Sequence, residues 1–220
     1  MNKMIILKNE IADTGMKWGV YSENEEKIVE YVFQSRREGT EIGKKIVNLT
    51  LLRYAVLDCL YVDEMKIDFQ IDLYEKQYID GEVSNMIEYS LKNHSLHLEK
   101  PIIKYNEIYE EQIYPTIELN KRKCYIGYSG GKDSRLCYQL LQNRFDEIIK
   151  FKIDFDDEEF NSDYHESFRI YKKEKYDEIS TRKAYERYQK NYYQEEDLHC
   201  CFAIPFFSVK ENDAAYLSIG

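Results

Sequence analysis

The fold prediction depends on the stretch Cys124-Tyr125-Ile126-Gly127-Tyr128-Ser129-Gly130-Gly131-Lys132-Asp133-Ser134. Residues 124–128 have the apolar character of a short buried strand. Two adjacent glycines then allow a sharp backbone turn. Apolar residues recur at helical spacing after the turn: Leu136, Cys137, Leu140 and Leu141. The stretch therefore predicts a strand, a loop and a helix in direct succession.

The segments that follow continue this alternation. Residues 147–155 are predicted to form a strand, Ser162 or Asp163 is placed to cap a helix, and residues 181–194 are predicted to form a charged helix. Residues 214–220 resemble a strand that enters a loop, so we expect either an incomplete chain or a minimal version of the fold. Such alternation predicts an α/β fold, a parallel sheet with helices on both faces.

The first half of the chain has a different pattern. Strands are predicted at residues 4–7, 28–33 and 66–74, and a weaker helix at residues 84–92. Between them, apolar residues recur every three or four positions over residues 41–60, which predicts a long helix capped by Thr40. We therefore expect an α+β portion of unknown role at residues 1–118, followed by a separate domain at residues 119–220.

Composition excludes several classes of protein. The chain has 220 residues with 31 Lys and Arg against 41 Asp and Glu, which gives a formal charge of −10. This excess of acidic residues disfavours nucleic acid as the main partner, although RNA stays possible. No apolar run is long enough to span a membrane. The five cysteines are scattered, without a CxxC pair, which indicates a reducing, cytoplasmic environment.

The loop at residues 129–134 has the residue types of an anion site. Its glycines allow several N–H groups to point into one concavity, and the following helix adds its positive N-terminal end. Ser129 and Ser134 supply hydroxyl donors and Lys132 a full positive charge, which together suit a di- or triphosphate. Asp133 would repel phosphate unless a magnesium ion lies beside it.

Two common phosphate-binding motifs do not fit this loop. A Walker A motif needs four residues between its glycines and Ser or Thr after the lysine, whereas here three residues separate Gly127 from Gly131, and Asp133 follows Lys132. The dinucleotide pattern GxGxxG is excluded because Gly130 and Gly131 are adjacent.

Residues 129–134 instead resemble the PP-loop of the ATP pyrophosphatase superfamily, with Lys132 at the variable position of SGGxDS. The resemblance covers about residues 124–220 and implies the adenine nucleotide alpha hydrolase-like, Rossmann-like fold. It also implies that residues 119–220 are an ATP-binding domain whose loop binds ATP with Mg²⁺ beside Asp133, and that Lys132 and Asp133 act in catalysis. Asp154, at the end of the next predicted strand, is a possible contact near adenine, and an exposed strand-end acid is the alternative.

The resemblance further implies an enzyme that forms AMP and pyrophosphate. We expect it to adenylate a carboxylate or carbonyl oxygen of a small-molecule acceptor, which a nitrogen nucleophile then attacks. Two alternatives are a thiolase or amidase that modifies a nucleobase in RNA, and a module that senses ATP without turnover. His199-Cys200-Cys201 is a further candidate for a catalytic or persulfide role, although adjacent cysteines in a regular element cannot both face one pocket.

Overall fold

The structure is a computed structural model that describes residues 4–58, 62–93, 99–109, 119–154, 164, 166–174, 203–210 and 214–219. Its strands in these ranges are β1 (Met4–Ala12), β2 (Gly15–Ser22), β3 (Lys27–Ser35), β4 (Glu64–Asp72), β5 (Ile102–Tyr109), β6 (Leu119–Gly127), β7 (Glu147–Asp154), β8 (Glu166–Glu174) and β9 (Ala214–Ile219). Its helices are α1 (Glu41–Asp58), α2 (Leu73–Tyr78), a π-helical turn (Ile79–Val83), α3 (Ser84–Asn93), α4 (Lys132–Leu141) and a 3-10 helix (Ile204–Ser208).

All of these strands join one sheet in the order β5-β4-β1-β2-β3-β8-β7-β6-β9. The middle pairs β1–β2, β2–β3 and β3–β8 are antiparallel. At one side β1, β4 and β5 run parallel, and at the other side β8, β7, β6 and β9 run parallel. The sheet is therefore mixed.

The predicted α/β fold, a parallel sheet with helices on both faces, is wrong. The described part of the chain consists mostly of strands with few helices, and its N-terminal half is mostly antiparallel. One reason is β2, which the sequence analysis did not predict and which forms hairpins with both of its neighbours.

A second reason lies after the loop, where the helix predicted to begin near Ser162 or Asp163 gives way to β8. Phe168 and Ile170 are buried and alternate with Ser167 and Arg169, which is the period of a strand. A further strand, β5, lies in a stretch for which no helix or strand is predicted from the sequence. The helix predicted at residues 181–194 lies outside the described residues.

Several helices and strands predicted from local patterns are confirmed. The long predicted helix is α1, and the Thr40 hydroxyl accepts a hydrogen bond from the Gly43 N–H at 3.1 Å, as expected of its cap. The predicted strands over residues 28–33 and 66–74 correspond to β3 and β4, and residues 84–92 lie in α3. Local periodicity therefore indicates α1, β3 and most of β4, and the weaker pattern over residues 84–92 still indicates a helix, although Leu73 and Tyr74 lie in α2 and not in β4.

One hydrophobic core joins both ends of the sheet. Trp18 and Leu51 are fully buried in the first half, and Phe151, Phe168 and Phe207 are buried in the second. The sheet and this core both continue across residue 118, the predicted boundary between the two portions. Among the described residues, no helix is long and apolar enough to cross a membrane.

The 3-10 helix packs against the start of α1. The Phe207 carbonyl accepts a hydrogen bond from the Thr40 N–H at 2.9 Å, and the Phe207 ring meets Phe33 edge-on. A Cβ atom at Gly43 would lie 2.1 Å from the Phe207 carbonyl oxygen, so glycine is required for this close approach. The segment that leads into β9 is thereby fixed to the N-terminal half.

Candidate functional site

The loop at residues 129–134 lies where the order of the parallel strands reverses. In chain order the strands are β6, β7, β8 and β9, but β7 and β8 lie on one side of β6 while β9 lies on the other. The loop follows Gly127, the last residue of β6. Sheets with parallel strands commonly bind ligands outside the carboxyl ends of the strands at such a reversal point. The structure therefore places the loop at a favoured ligand position.

The backbone of the loop turns at a single glycine. The Tyr128 N–H donates to the Phe151 carbonyl at 3.0 Å, which extends the β6–β7 pairing by one residue. Gly130 then adopts a φ of +78°, the left-handed region that favours glycine. Gly131 has ordinary extended dihedrals, φ −69° and ψ 176°, and is the N-cap of α4. The prediction that both glycines serve the turn is correct only for Gly130.

The two predicted serines lie together inside the loop. The Ser129 and Ser134 hydroxyl oxygens are 3.3 Å apart. The Ser134 hydroxyl donates to the Gly131 carbonyl at 3.2 Å, and the Ser129 hydroxyl accepts from the Gly131 N–H at 3.4 Å. Ser134 is only 1% exposed, and its hydrogen bond to Gly131 links the first turn of α4 to the loop. Ser129 is exposed and is the serine that faces solvent.

Donor groups at the start of α4 are open to a ligand. The first N–H groups of any α-helix lack intrahelical acceptors, and no side chain caps the N-terminus of α4. A Cβ atom built on Gly130 would meet no heavy atom within 4 Å, so the space above this residue is empty of protein. Lys132 is exposed in the first turn. This arrangement suits an anion such as phosphate.

Asp133 is exposed in the same turn, one residue after Lys132. It is not the cap of α4, because Gly131 has that position. The described residues contain no group of three or more His, Cys, Asp or Glu side chains that could hold a metal ion by themselves. Magnesium is commonly bound by one or two carboxylates together with substrate phosphate oxygens. Asp133 therefore fits a magnesium ion that arrives with a nucleotide.

Asp154 is the last residue of β7, the strand beside β6. Its carboxylate is largely shielded from solvent and forms an ion pair with Lys152. In the sheet register Asp154 lies opposite Arg169 of β8. The structure thus places Asp154 at the carboxyl edge of the parallel strands, as predicted, with its charge balanced by a neighbouring lysine.

Lys150 of β7 was not predicted as part of the site. Its ammonium nitrogen lies 4.4 Å from the ring centroid of Tyr128 and 4.0 Å from that of Tyr138. The two rings meet edge-on, with their centroids 5.9 Å apart. A lysine in an alternating strand predicts only a solvent-facing side chain, so the sequence alone carried no signal of this contact.

A buried polar cluster connects β8 to the 3-10 helix. The Glu166 side chain is 1% exposed, and one of its oxygens lies 2.9 Å from Nη1 of Arg37. Its other oxygen accepts from the Ser208 hydroxyl at 2.9 Å. Burial raises the pKa of Glu166, an effect that Ser208 and Arg37 partly oppose. The cluster links β8, the 3-10 helix and the bend that follows β3.

The other predicted candidates lie mostly outside the described residues. This applies to His199, Cys200 and Cys201.

Comparisons with known proteins return no match, whether with protein-family models, curated proteins or solved structures. The geometry of the loop and its position in the sheet are therefore the basis for a functional proposal.

Proposed function

We propose that the chain binds ATP and Mg²⁺ at residues 129–134 and is an adenylating enzyme that forms AMP and pyrophosphate. One observation carries this proposal: the Ser-Gly-Gly-Lys-Asp-Ser loop follows β6 where the strand order reverses, with its helix N-terminus uncapped. Both the sequence of the loop and its location favour a phosphate ligand.

In this proposal the outer phosphates of ATP lie against the N–H groups at the start of α4. Lys132 supplies a positive charge to the β- and γ-phosphates, and Ser129 an exposed hydroxyl donor. Asp133 would hold a magnesium ion, which supplies positive charge against the leaving phosphates. Fixed donors of this kind stabilise the charge that develops as pyrophosphate departs.

The reaction has two steps. A carboxylate or carbonyl oxygen of a small-molecule acceptor attacks the α-phosphorus, a new P–O bond forms, and the bond to the β-phosphate oxygen breaks to release pyrophosphate. A nitrogen nucleophile then attacks the activated carbon, loses a proton and displaces AMP. Asp154, at the carboxyl edge of the neighbouring strand, is the proposed contact near adenine. The scattered cysteines support a reducing compartment, for which we propose the cytoplasm.

The proposal is tested first by ligand binding. ATP with Mg²⁺ should raise the melting temperature, because a ligand at about a hundred times its Kd stabilises the folded state by about 2.7 kcal/mol. GTP should raise it less if adenine is recognised. Equal shifts with all nucleoside triphosphates would mean that only the phosphates are bound, and the absence of any shift would refute the loop assignment.

Product analysis tests the reaction itself. Turnover with candidate acceptors should yield AMP and pyrophosphate, whereas ADP and orthophosphate would refute the adenylation chemistry. Binding without products under any acceptor would favour an ATP-sensing module. Stimulation by RNA would favour modification of a nucleobase, which the net charge of −10 disfavours.

Asp133→Asn probes the magnesium assignment in the same assays. The substitution keeps shape but removes charge, so ATP binding should weaken modestly while turnover falls much further. Asp146→Asn is a matched control, since Asp146 is also exposed and forms a surface ion pair with Arg122. An Asp133→Asn variant with unchanged turnover would remove Asp133 from the metal site and leave the phosphate site in place.

A further inference from the structure

Lys150 contacts one aromatic ring on each side of the loop that joins β6 to α4. Its ammonium group is within 4.4 Å of the Tyr128 ring centroid and 4.0 Å of the Tyr138 ring centroid. Tyr128 immediately precedes Ser129, whereas Tyr138 lies on α4 beyond the loop. All three side chains are half-buried. We call this set of three residues the lysine clamp.

The clamp flanks a loop whose own side-chain hydrogen bonds are long. The hydroxyl contacts inside the loop, at 3.2, 3.3 and 3.4 Å, are at the long end of the range for hydrogen bonds. The backbone of Tyr128 is held by the Phe151 carbonyl, and Phe151 is the residue next to Lys150. Both the backbone and the ring of Tyr128 are therefore fixed by β7.

A cation placed over an aromatic ring is attracted by the electrons of the ring, and the attraction grows when water is excluded. Lys150 makes this contact with two rings at once, and the rings also pack edge-on against each other. The three side chains therefore join the end of β6 to the second turn of α4, on either side of the loop. The distance between these two elements determines where the N–H groups of the intervening loop point.

We propose that Lys150 is a positioning residue for nucleotide binding: it holds the loop in the conformation that presents its N–H groups to the phosphates. The inference rests on the proposed function in so far as the ligand is ATP. Lys150 acts through Tyr128 and Tyr138 and does not itself contact the phosphates.

The test compares Lys150→Met with Lys150→Arg. Methionine keeps the length of the side chain without its charge, so ATP–Mg²⁺ should bind about threefold to tenfold more weakly. Arginine also stacks on aromatic rings and should restore binding to within about twofold of wild type. Lys8→Met is the matched control, because Lys8 is also a strand lysine over a tyrosine ring, 5.3 Å from Tyr21, and should leave ATP binding unchanged.

Tyr138 provides the same test from the helix side. Tyr138→Phe keeps the ring and should bind ATP as wild type does, whereas Tyr138→Leu should reproduce the loss seen with Lys150→Met. The double variant should lose less than the sum of the two single losses, because both remove one contact. If Lys150→Met does not fold, Tyr138→Leu and Lys150→Arg carry the test.

The amide NMR signals of Gly130 and Gly131, recorded without ligand, separate the two proposals. In Lys150→Met these signals should shift relative to wild type, and in Lys8→Met they should not. If wild type fails to bind ATP but the signals shift, the clamp stands and the ATP assignment fails. If wild type binds ATP while Lys150→Met binds equally tightly with unshifted signals, the clamp is refuted.

Discussion

Two junctions in this molecule lead from a strand into the next helix, and they differ in whether side chains cap the start of that helix. At the end of β4, an Asp72 carboxylate oxygen accepts from the Glu75 N–H at 2.8 Å, and a Glu75 carboxylate oxygen accepts from the Asp72 N–H at 2.8 Å. Both side chains are buried. At the end of β6, Gly131 leaves the start of α4 without any side-chain cap.

The difference shows which junction is available to a ligand. At the β4–α2 junction two carboxylates accept from the N–H groups of Asp72 and Glu75, and Lys45 lies 2.9 Å from Asp72. The two carboxylates occupy the start of this helix, and their negative charge disfavours a bound anion. The β6–α4 junction offers unsatisfied N–H groups next to exposed Lys132. Under the proposed function, the absence of a cap is what leaves the start of α4 available to a ligand.

The largest expected effect is a loss of stability when the side-chain cap at the β4–α2 junction is removed. Asp72→Ala removes a buried cap and leaves Lys45 without this carboxylate, which should lower the free energy of unfolding by about 3 kcal/mol. The Kd for ATP should not change. Urea denaturation and ATP titration of the folded variant measure the two quantities.

Asp72→Asn is the control for this change, because asparagine caps a helix about as well as aspartate but carries no charge. Its loss of stability should be smaller than that of Asp72→Ala. Weaker ATP binding with unchanged unfolding in Asp72→Ala would reverse the assignment of roles to the two junctions.

A smaller effect is expected from a matched pair of changes in the open junction. Gly130→Ala places a side chain at φ +78°, which costs about 1–2 kcal/mol in that conformation. Because the loop is near the surface and can relax, the cost should appear as roughly tenfold weaker ATP binding, with little change in unfolding. Gly131→Ala has permitted dihedrals and only a 3.4 Å contact to the Ser129 hydroxyl, so binding should fall less than about threefold. Equal losses from the two substitutions would contradict this reading of the turn.

The smallest expected effect concerns the pH dependence of the closed junction. Burial raises the pKa of Glu75 above its usual 4.5, and the neighbouring Asp72 charge raises it further, although hydrogen bonding and Lys45 oppose the shift. The folded state therefore binds this proton more tightly than the unfolded state. The stability that the protonated Glu75 side chain contributes is present below about pH 4 and is lost as the pH rises through the pKa of Glu75 in the folded state.

Glu75→Gln keeps the hydrogen bond of the cap and removes this titration. Its free energy of unfolding, relative to wild type, should increase as the pH rises above about 4 in urea denaturation. A difference that stays constant over this range would show that Glu75 does not titrate abnormally.

The features that could be predicted from the sequence are those that arise from interactions between residues close together in the chain. The helix α1 and its cap at Thr40 follow from local periodicity, and so do β4 and the loop between β6 and α4. Even so, the Asp72-Leu73-Tyr74-Glu75 pattern of a cap was read as part of a strand, because Leu73 continues the apolar alternation of β4.

Features that depend on long-range pairing could not be predicted. β8 joins the antiparallel part of the sheet by pairing with β3, which lies more than a hundred residues earlier in the chain. The side chains of Gln34 and Arg169, which are 135 residues apart in sequence, form a hydrogen bond across this pair. The lysine clamp likewise requires the register of β6 and β7, which the residues of either strand alone do not specify.

The pairing of β3 with β8 has a consequence for how the protein is made. Ribosomes add roughly 5–20 residues per second, so β3 waits on the order of ten seconds before β8 has been synthesised. During that interval one edge of β3, a strand that contains the apolar residues Val32 and Phe33, has unpaired backbone groups. Such an edge is prone to pair with strands of other nascent chains. Expression of this protein should therefore respond to translation speed and to chaperones that shield exposed strand edges, and fragments that end before Glu166 should aggregate.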